Sequence, residues 1–146
     1  MNDPSPPSNR VLAIDWGEKR IGLALSDPSR TIAQPLATLT RRSGKRFPLQ
    51  QLKSHIDAHR PSHLVVGLPL EGDGSDGPAA RAARELAALL GQKTGLPVTL
   101  LDERMSTARA LSAVRDLGGG TRGRRGDVDQ LAATVLLQSY LDTRPA

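Results

Sequence analysis

The chain has 146 residues, 20 Lys and Arg against 15 Asp and Glu, a net charge of +5 and no cysteine. A domain of this length can bury about 68–70% of its unfolded surface, and no apolar run approaches the ~18–20 residues that a bilayer-spanning helix needs. Disulfides and thiolate metal sites are excluded, which fits a cytoplasmic protein, and the cationic balance suits a polyanionic partner, most often nucleic acid.

Residues 1–10, MNDPSPPSNR, are polar and proline-rich and lack the apolar stretch of a signal peptide, so a disordered leader is expected. Residues 11–16 read as a strand of interior character, residues 20–26 as a second, and Gly17-Glu18-Lys19 as the tight hairpin between them. Thr31 to Thr40 holds a weaker third strand, with Pro35 limiting it to an edge or a bulge. Phe47, Leu49, Leu52 and Ile56 have helical spacing, so a helix is predicted over Phe47–Ala58, ended by Pro61. His63-Leu64-Val65-Val66-Gly67 is short and almost wholly apolar, as expected of a buried parallel strand.

A Gly- and Asp-rich loop follows, and Pro78 suits the first turn of a helix whose inner face is predicted to carry Ala79, Ala83, Leu86, Ala87 and Leu90. Val98 to Leu101 reads as another buried strand, closed by Asp102-Glu103-Arg104. Ser106 or Thr107 can cap a helix over Ala108–Leu117, and residues 118–126 read as a cationic loop. Asp127 with Gln130 resembles a capping box opening a last helix, apolar on nearly every side from Leu131 to Leu141. Alternating strands and helices of this kind predict one α/β domain over residues 11–142, a mixed sheet with helices on both faces, and a short tail at 143–146.

The basic residues cluster. Arg41, Arg42, Lys45 and Arg46 form one block, and Arg122, Arg124 and Arg125 another. Each can be a phosphate contact or simply a solvated surface. Trp16, Phe47 and Tyr140 are the sole aromatics, too few for a base-stacking platform, so nucleic acid is expected to be held by phosphates and shape.

Three acids stand out. Asp15 ends the first strand and Glu103 follows the last, each on a face whose earlier members are partly apolar. Ligands of open α/β sheets sit at the carboxyl ends of the strands. Asp129 lies in the first turn of the last helix, where the macrodipole favours an anion. If that helix starts at the same sheet edge, three carboxylates converge. An arginine or lysine could neutralise them, Arg104 and Lys19 being placed to do so, or they could share a hard divalent cation. Each acid also has a structural reading, as turn former, ion-paired loop or helix cap. His55, His59 and His63 read as solvated or structural, and Gly72-Asp73-Gly74-Ser75 is a weak phosphate-cradle signal.

Residues 15–27, DWGEKRIGLALSD, together with Val66-Gly67-Leu68-Pro69-Leu70 and Asp73-Gly74-Ser75, Asp102 to Thr107, and Asp129 with Ala132-Ala133 and Leu136 to Leu141, resemble in order the motifs of the bacterial YqgF family, the RuvX-type proteins described as Holliday junction resolvases or pre-16S rRNA nucleases. The resemblance runs from Val11 to Asp142. It implies an RNase H-like five-stranded mixed sheet and a nuclease site in which Asp15, Glu103 and Asp129 bind Mg²⁺ or Mn²⁺, with Asp127 as the rival for the third place. By the same analogy Arg104 and Lys19 position phosphates or transition-state charge, while Arg20, Arg41, Arg42, Arg122, Arg124 and Arg125 are expected nucleic-acid contacts on their charge. The expected activity is metal-dependent phosphodiester hydrolysis in pre-16S rRNA processing, by a monomer or weak homodimer with RNA as favoured partner and no membrane role. A Holliday junction resolvase and a non-catalytic RNA- or ribosome-binding factor are the alternatives; an actin-like ATPase ranks last, since one lobe is too few.

Overall fold

Strict alternation over Val11–Trp16 places side chains on both sides of one strand, β1, and five of its six residues are buried. The computed structural model describes residues 8–17, 20–40, 47–105 and 125–143, with the backbone alone described at 105 and 125–129. Arg20–Ser26 is β2, Ala33–Thr40 β3, Leu49–His59 α1, His63–Leu68 β4, Pro78–Thr94 α2, Val98–Asp102 β5, Glu103–Met105 a 3-10 turn and Arg125–Thr143 α3. The strands form one sheet in the order β3-β2-β1-β4-β5. β1 runs antiparallel to β2 and parallel to β4, β2 runs antiparallel to β3, and β4 runs parallel to β5.

The sheet is covered on both faces. Leu12, Ile14, Leu23, Leu64 and Val66 meet Leu52 of α1 and Ala80, Ala83, Leu86 and Leu90 of α2. Val11, Ala13, Ala24 and Val65 meet Ala133, Leu137 and Leu141 of α3. Small residues on the inner faces of α2 and α3 let these helices lie close to the strands. This is the RNase H-like mixed sheet that the motifs imply.

Several elements differ from expectation for identifiable reasons. Pro35 does sit on an edge strand, and it also sits at a bulge: Leu23 pairs with Ala37 and Ala24 with Pro35, leaving Leu36 as the extra residue. β5 is half-buried throughout rather than buried, because it is the other edge. Ala80, not Ala79, turns inward on α2; both keep a 3–4 residue spacing to Ala83, and packing against the sheet selects Ala80. α1 starts at Leu49, since Pro48 is its N-cap, and ends on Arg60 in the left-handed region with φ 50°. α2 ends on Gly95 at φ 71°, where glycine carries no steric penalty. α3 starts at Arg125, two residues before the expected cap, and its outer side leaves Leu131 49% exposed. The Ala108–Leu117 helix and the 118–124 part of the cationic loop fall outside the described residues. No described helix is long and apolar enough to cross a membrane.

The two aspartates that bracket the opening motif have different fates. Asp27 is half-buried and organises the β2–β3 turn: its carboxylate accepts hydrogen bonds from the backbone N–H of Thr31 and Ile32, both at 2.8 Å, from Ser29 N–H at 3.2 Å, and from the Ser29 hydroxyl. These bonds, that from Ile32 first, hold its pKa far below the usual carboxylate range. A depressed folded-state pKa stabilises the protein fully above the unfolded value of about 3.9 and loses that contribution as pH falls below it. Asp27→Ala is therefore expected to lower the urea midpoint clearly at pH 7 and by a somewhat smaller margin at pH 3, where the unfolded-state carboxyl is already mostly protonated and the folded-state one is not. An equal gap at the two pH values would show that the turn does not depend on the carboxylate charge.

Candidate active site

Asp15 continues the row Val11-Ala13 on the face that α3 covers, and it is 1% exposed. Its partner on β2 is Gly22, which in turn pairs with Thr38 of β3. On the other side Ile14 pairs with Val66 of β4, so the next step along both strands sets Gly67 beside Asp15. Gly67 pairs with Leu101 of β5. One row thus crosses the sheet as Thr38, Gly22, Asp15, Gly67 and Leu101. A buried carboxylate stands in its middle with a glycine on each side.

Glu103 fills the place of the side chain that Gly67 lacks. It lies in the 3-10 turn just past β5, 5% exposed. A Cβ on Gly67 would come within 3.0 Å of the Glu103 Cδ and Oε1 and 3.2 Å of its Cγ. The Glu103 side chain therefore folds back over the end of β4, the strand paired with β1. Gly67 was overlooked as a site residue in the sequence. The available signal was a glycine inside an otherwise apolar strand, a mark of close approach by another group.

The third acid depends on how α3 is laid down. Gln130 Nε2 donates to the Thr38 hydroxyl at 3.2 Å. Eight residues on, Gln138 Oε1 accepts from Ala33 N–H and Gln138 Nε2 donates to the Thr31 carbonyl, both at 2.9 Å. The helix consequently runs antiparallel to β3 and β1. Its first turns lie at the edge where β1, β4 and β5 end, the condition that convergence required. At about 100° per residue, position 129 falls on the stripe of Ala132, Ala133 and Leu136, and position 127 lies about 200° away from it. Those three partners are fully buried. The carboxylates of Asp127 and Asp129 themselves are outside the described side chains.

Among the described residues no group of three His, Cys, Asp or Glu is gathered for a metal. What they supply is two buried carboxylates, Asp15 on β1 and Glu103 just past β5, with the end of β4 at Gly67 between the two strands. Such a pair repels itself, and a shared cation offsets that repulsion. All-oxygen donors suit Mg²⁺ or Mn²⁺ rather than a soft metal. Asp15 and Glu103 thus fit a hard divalent ion.

The other expected site residues are distributed unevenly. Arg20 opens β2, half-buried and paired with Thr40. Arg104 is exposed and forks onto Asp102, with Nε at 3.1 Å and Nη2 at 2.8 Å from Asp102 Oδ2. Arg125 is the first residue of α3. Lys19, Arg41, Arg42, Arg122 and Arg124 fall outside the described residues. The histidines stay structural: His55 and His59 stack on α1 with ring centroids 6.5 Å apart, and His63 binds the Thr99 hydroxyl at 2.7 Å at the opposite end of β4 from Gly67. The 71–75 loop is closed on itself. Glu71 N–H donates to the Ser75 carbonyl, Gly74 N–H to the Glu71 carbonyl, and Ser75 donates to Asp73 through both N–H and hydroxyl. The Ser75 hydroxyl bond leads the causes that lower the Asp73 pKa. A side chain on Gly77, the N-cap of α2, would collide with the Glu71 carboxylate, so that helix end already faces an anion.

The family model described as RuvX, Holliday junction resolvase, matches residues 9–143. A Koribacter versatilis protein named "Putative pre-16S rRNA nuclease" is 41% identical over 144 residues, covering 99% of this chain and 94% of its own length. One from Anaeromyxobacter sp. with the same name is 44% identical over 137 residues, covering 94% and 99%. Among solved structures, Thermus thermophilus RuvC in complex with Holliday junction substrate aligns with TM-score 0.53 at 15% identity, over 90% of this chain and 92% of that one. The yeast mitochondrial Holliday junction resolvase aligns with TM-score 0.51 at 13% identity, over 94% and 80%. At these identities the solved structures share the fold.

Proposed function

This chain belongs to the RuvX family and is a nuclease, a hydrolase of phosphodiester bonds, and we propose that it trims the 5′ end of precursor 16S rRNA with Asp15, Glu103 and Asp129 holding Mg²⁺ or Mn²⁺. The observation that carries the site is Glu103 lying over Gly67, beside the buried Asp15. The substrate reading is supported by the names of relatives that match over nearly their whole length.

In this reading Asp15, rigid in the middle of the sheet, and Glu103, on the turn after β5, present oxygen ligands from two strand ends. Asp129 completes them from the first turns of α3. When bound, the divalent ion supplies Lewis-acid stabilisation of the charge that develops on the phosphodiester. Gly67 leaves the space that the Glu103 side chain takes, and Gly22 adds no side chain on the other side of Asp15. Burial of both carboxylates excludes bulk water and strengthens their hold on a cation. Lys19, Arg20 and the basic segments at 41–42 and 122–125 supply the positive charge that draws in phosphates.

A cleavage panel tests the substrate: a 5′-extended 16S precursor, single-stranded RNA and a four-way DNA junction, each with Mg²⁺, Mn²⁺ or chelator. The precursor is expected to be cut at least about tenfold faster than the junction, a difference of about 1.4 kcal/mol in transition-state binding, and chelator is expected to stop cleavage of both. Paired symmetric nicks in the junction with an intact precursor would transfer the assignment to recombination, the activity that the family description names. The basic loop is tested separately. Replacing both Arg124 and Arg125 with Ala is expected to flatten the log–log salt dependence of RNA binding by about 1.5 units, at roughly 0.7–0.9 per lost phosphate contact. An unchanged slope removes that loop from the contact surface.

A further inference from the structure

Arg104 is spent within the chain. It follows Glu103 in the 3-10 turn, and its backbone N–H donates to Asp102 Oδ1 at 2.9 Å. Its guanidinium forks onto the same carboxylate, and Nη1 donates to the Gly72 carbonyl at 3.2 Å. The guanidinium also lies over Gly74, where a Cβ would sit 3.4 Å from Nη1 and 3.5 Å from Nη2, at a backbone φ of +89° that favours glycine. One side chain therefore fastens the end of β5, the turn and the 71–75 loop together. Glu103 stands between the two anchors, Asp102 and Arg104.

We propose that Arg104 is a positioning residue: its fork onto Asp102 and its bond to Gly72 hold the turn so that the Glu103 carboxylate stays over Gly67, and the guanidinium is not a phosphate contact. Three considerations favour this. A bidentate arginine–carboxylate pair fixes geometry as well as charge. The cation is already neutralised by Asp102, with side-chain exposures of 33% for Arg104 and 22% for Asp102. A three-residue 3-10 turn has weak hydrogen bonding of its own and takes its orientation from tethers. A partly exposed ion pair contributes little to global stability, so its removal is expected to leave the fold in place. The inference rests on the reading of Glu103 as an ion ligand.

The test compares wild type, Arg104→Ala, Arg104→Lys, Asp102→Asn and Asp15→Asn in the full chain. Mn²⁺ affinity is measured by calorimetry, RNA binding in chelator across a salt series, and kcat and KM separately. Arg104→Ala and Asp102→Asn are both expected to weaken Mn²⁺ binding by about tenfold, as loss of a group that orients a ligand does. Both are expected to lower kcat and leave the RNA salt slope unchanged. Arg104→Lys should match Arg104→Ala, because an ammonium cannot reproduce the fork. The proposal is overturned if Arg104→Ala keeps Mn²⁺ affinity while the salt slope falls by about one unit and KM rises. It is equally overturned if Asp102→Asn, which releases the arginine, keeps Mn²⁺ affinity and tightens RNA binding. Asp15→Asn separates the two levels. If that variant still binds Mn²⁺ and cuts, the site reading itself fails; if it is inactive while Arg104→Ala and Asp102→Asn bind Mn²⁺ normally, only the positioning role fails.

Discussion

Asp15→Asn is expected to abolish cleavage, by about 10³-fold or more, since the several kcal/mol that a bound ion supplies convert at tenfold per 1.36 kcal/mol. The side chain keeps its size and loses its charge. Asp15 is 1% exposed at the centre of the sheet, between Gly22 and Gly67, so no neighbouring side chain on its row can take over its oxygen. The fold should survive. A neutral amide beside Glu103 removes like-charge repulsion, so the variant in chelator is expected to melt at or above the wild-type temperature. Mg²⁺ or Mn²⁺ should raise the melting temperature of wild type, by linkage between binding and folding, and leave that of Asp15→Asn unmoved. Equal shifts in the two proteins, or wild-type cleavage by the variant, would place the ion elsewhere.

Gly67→Ala is the second large effect, and it acts without touching a carboxylate. The added methyl would lie 3.0 Å from Cδ and Oε1 of Glu103, so the glutamate has to move. The strand backbone itself has no need of glycine: Gly67 is not among the positive-φ residues. The expected result is a loss of about 10²-fold in kcat, the scale of a ~1 Å misplacement of a reacting group, with little change in thermal stability. Shortening the acid in the same background, Gly67→Ala with Glu103→Asp, draws the carboxyl back by one methylene and should recover part of the activity. Full activity of Gly67→Ala with Glu103 in its present position would disprove the packing argument. Loss of folding alone would appear as a lower melting temperature that Glu103→Asp does not repair.

Individual residues show where the sequence was legible and where it was not. The strand at 11–16 could be read because alternation is local: Asp15 shares a side with Val11 and Ala13 whatever the strand pairs with. Pro35 announced an edge or a bulge because it lacks an N–H, and both occur. Asp27, by contrast, follows β2 as Asp15 closes the apolar run of β1, and local sequence does not separate their roles. Only the turn geometry shows Asp27 saturated by Ser29, Thr31 and Ile32. Val98–Leu101 looked as interior as His63–Gly67, since apolar content does not say which strand ends a sheet. Ala79 and Ala80 were indistinguishable until packing chose the face of α2.

From the order of residues alone came the α/β class, the three acids at element ends, the cationic segments and the motifs that mark the RuvX family. These are short-range properties, written in periodicity, turn chemistry and charge. Tertiary structure decided the rest. The order β3-β2-β1-β4-β5 put Gly67 next to Asp15, the parallel β4–β5 pair swung Glu103 across it, and the glutamines of α3 set that helix's direction over the sheet. Each of these is a contact between segments far apart in the chain. Local preference is indifferent among the pairings such segments could adopt; the choice falls to the arrangement that buries both faces of one sheet.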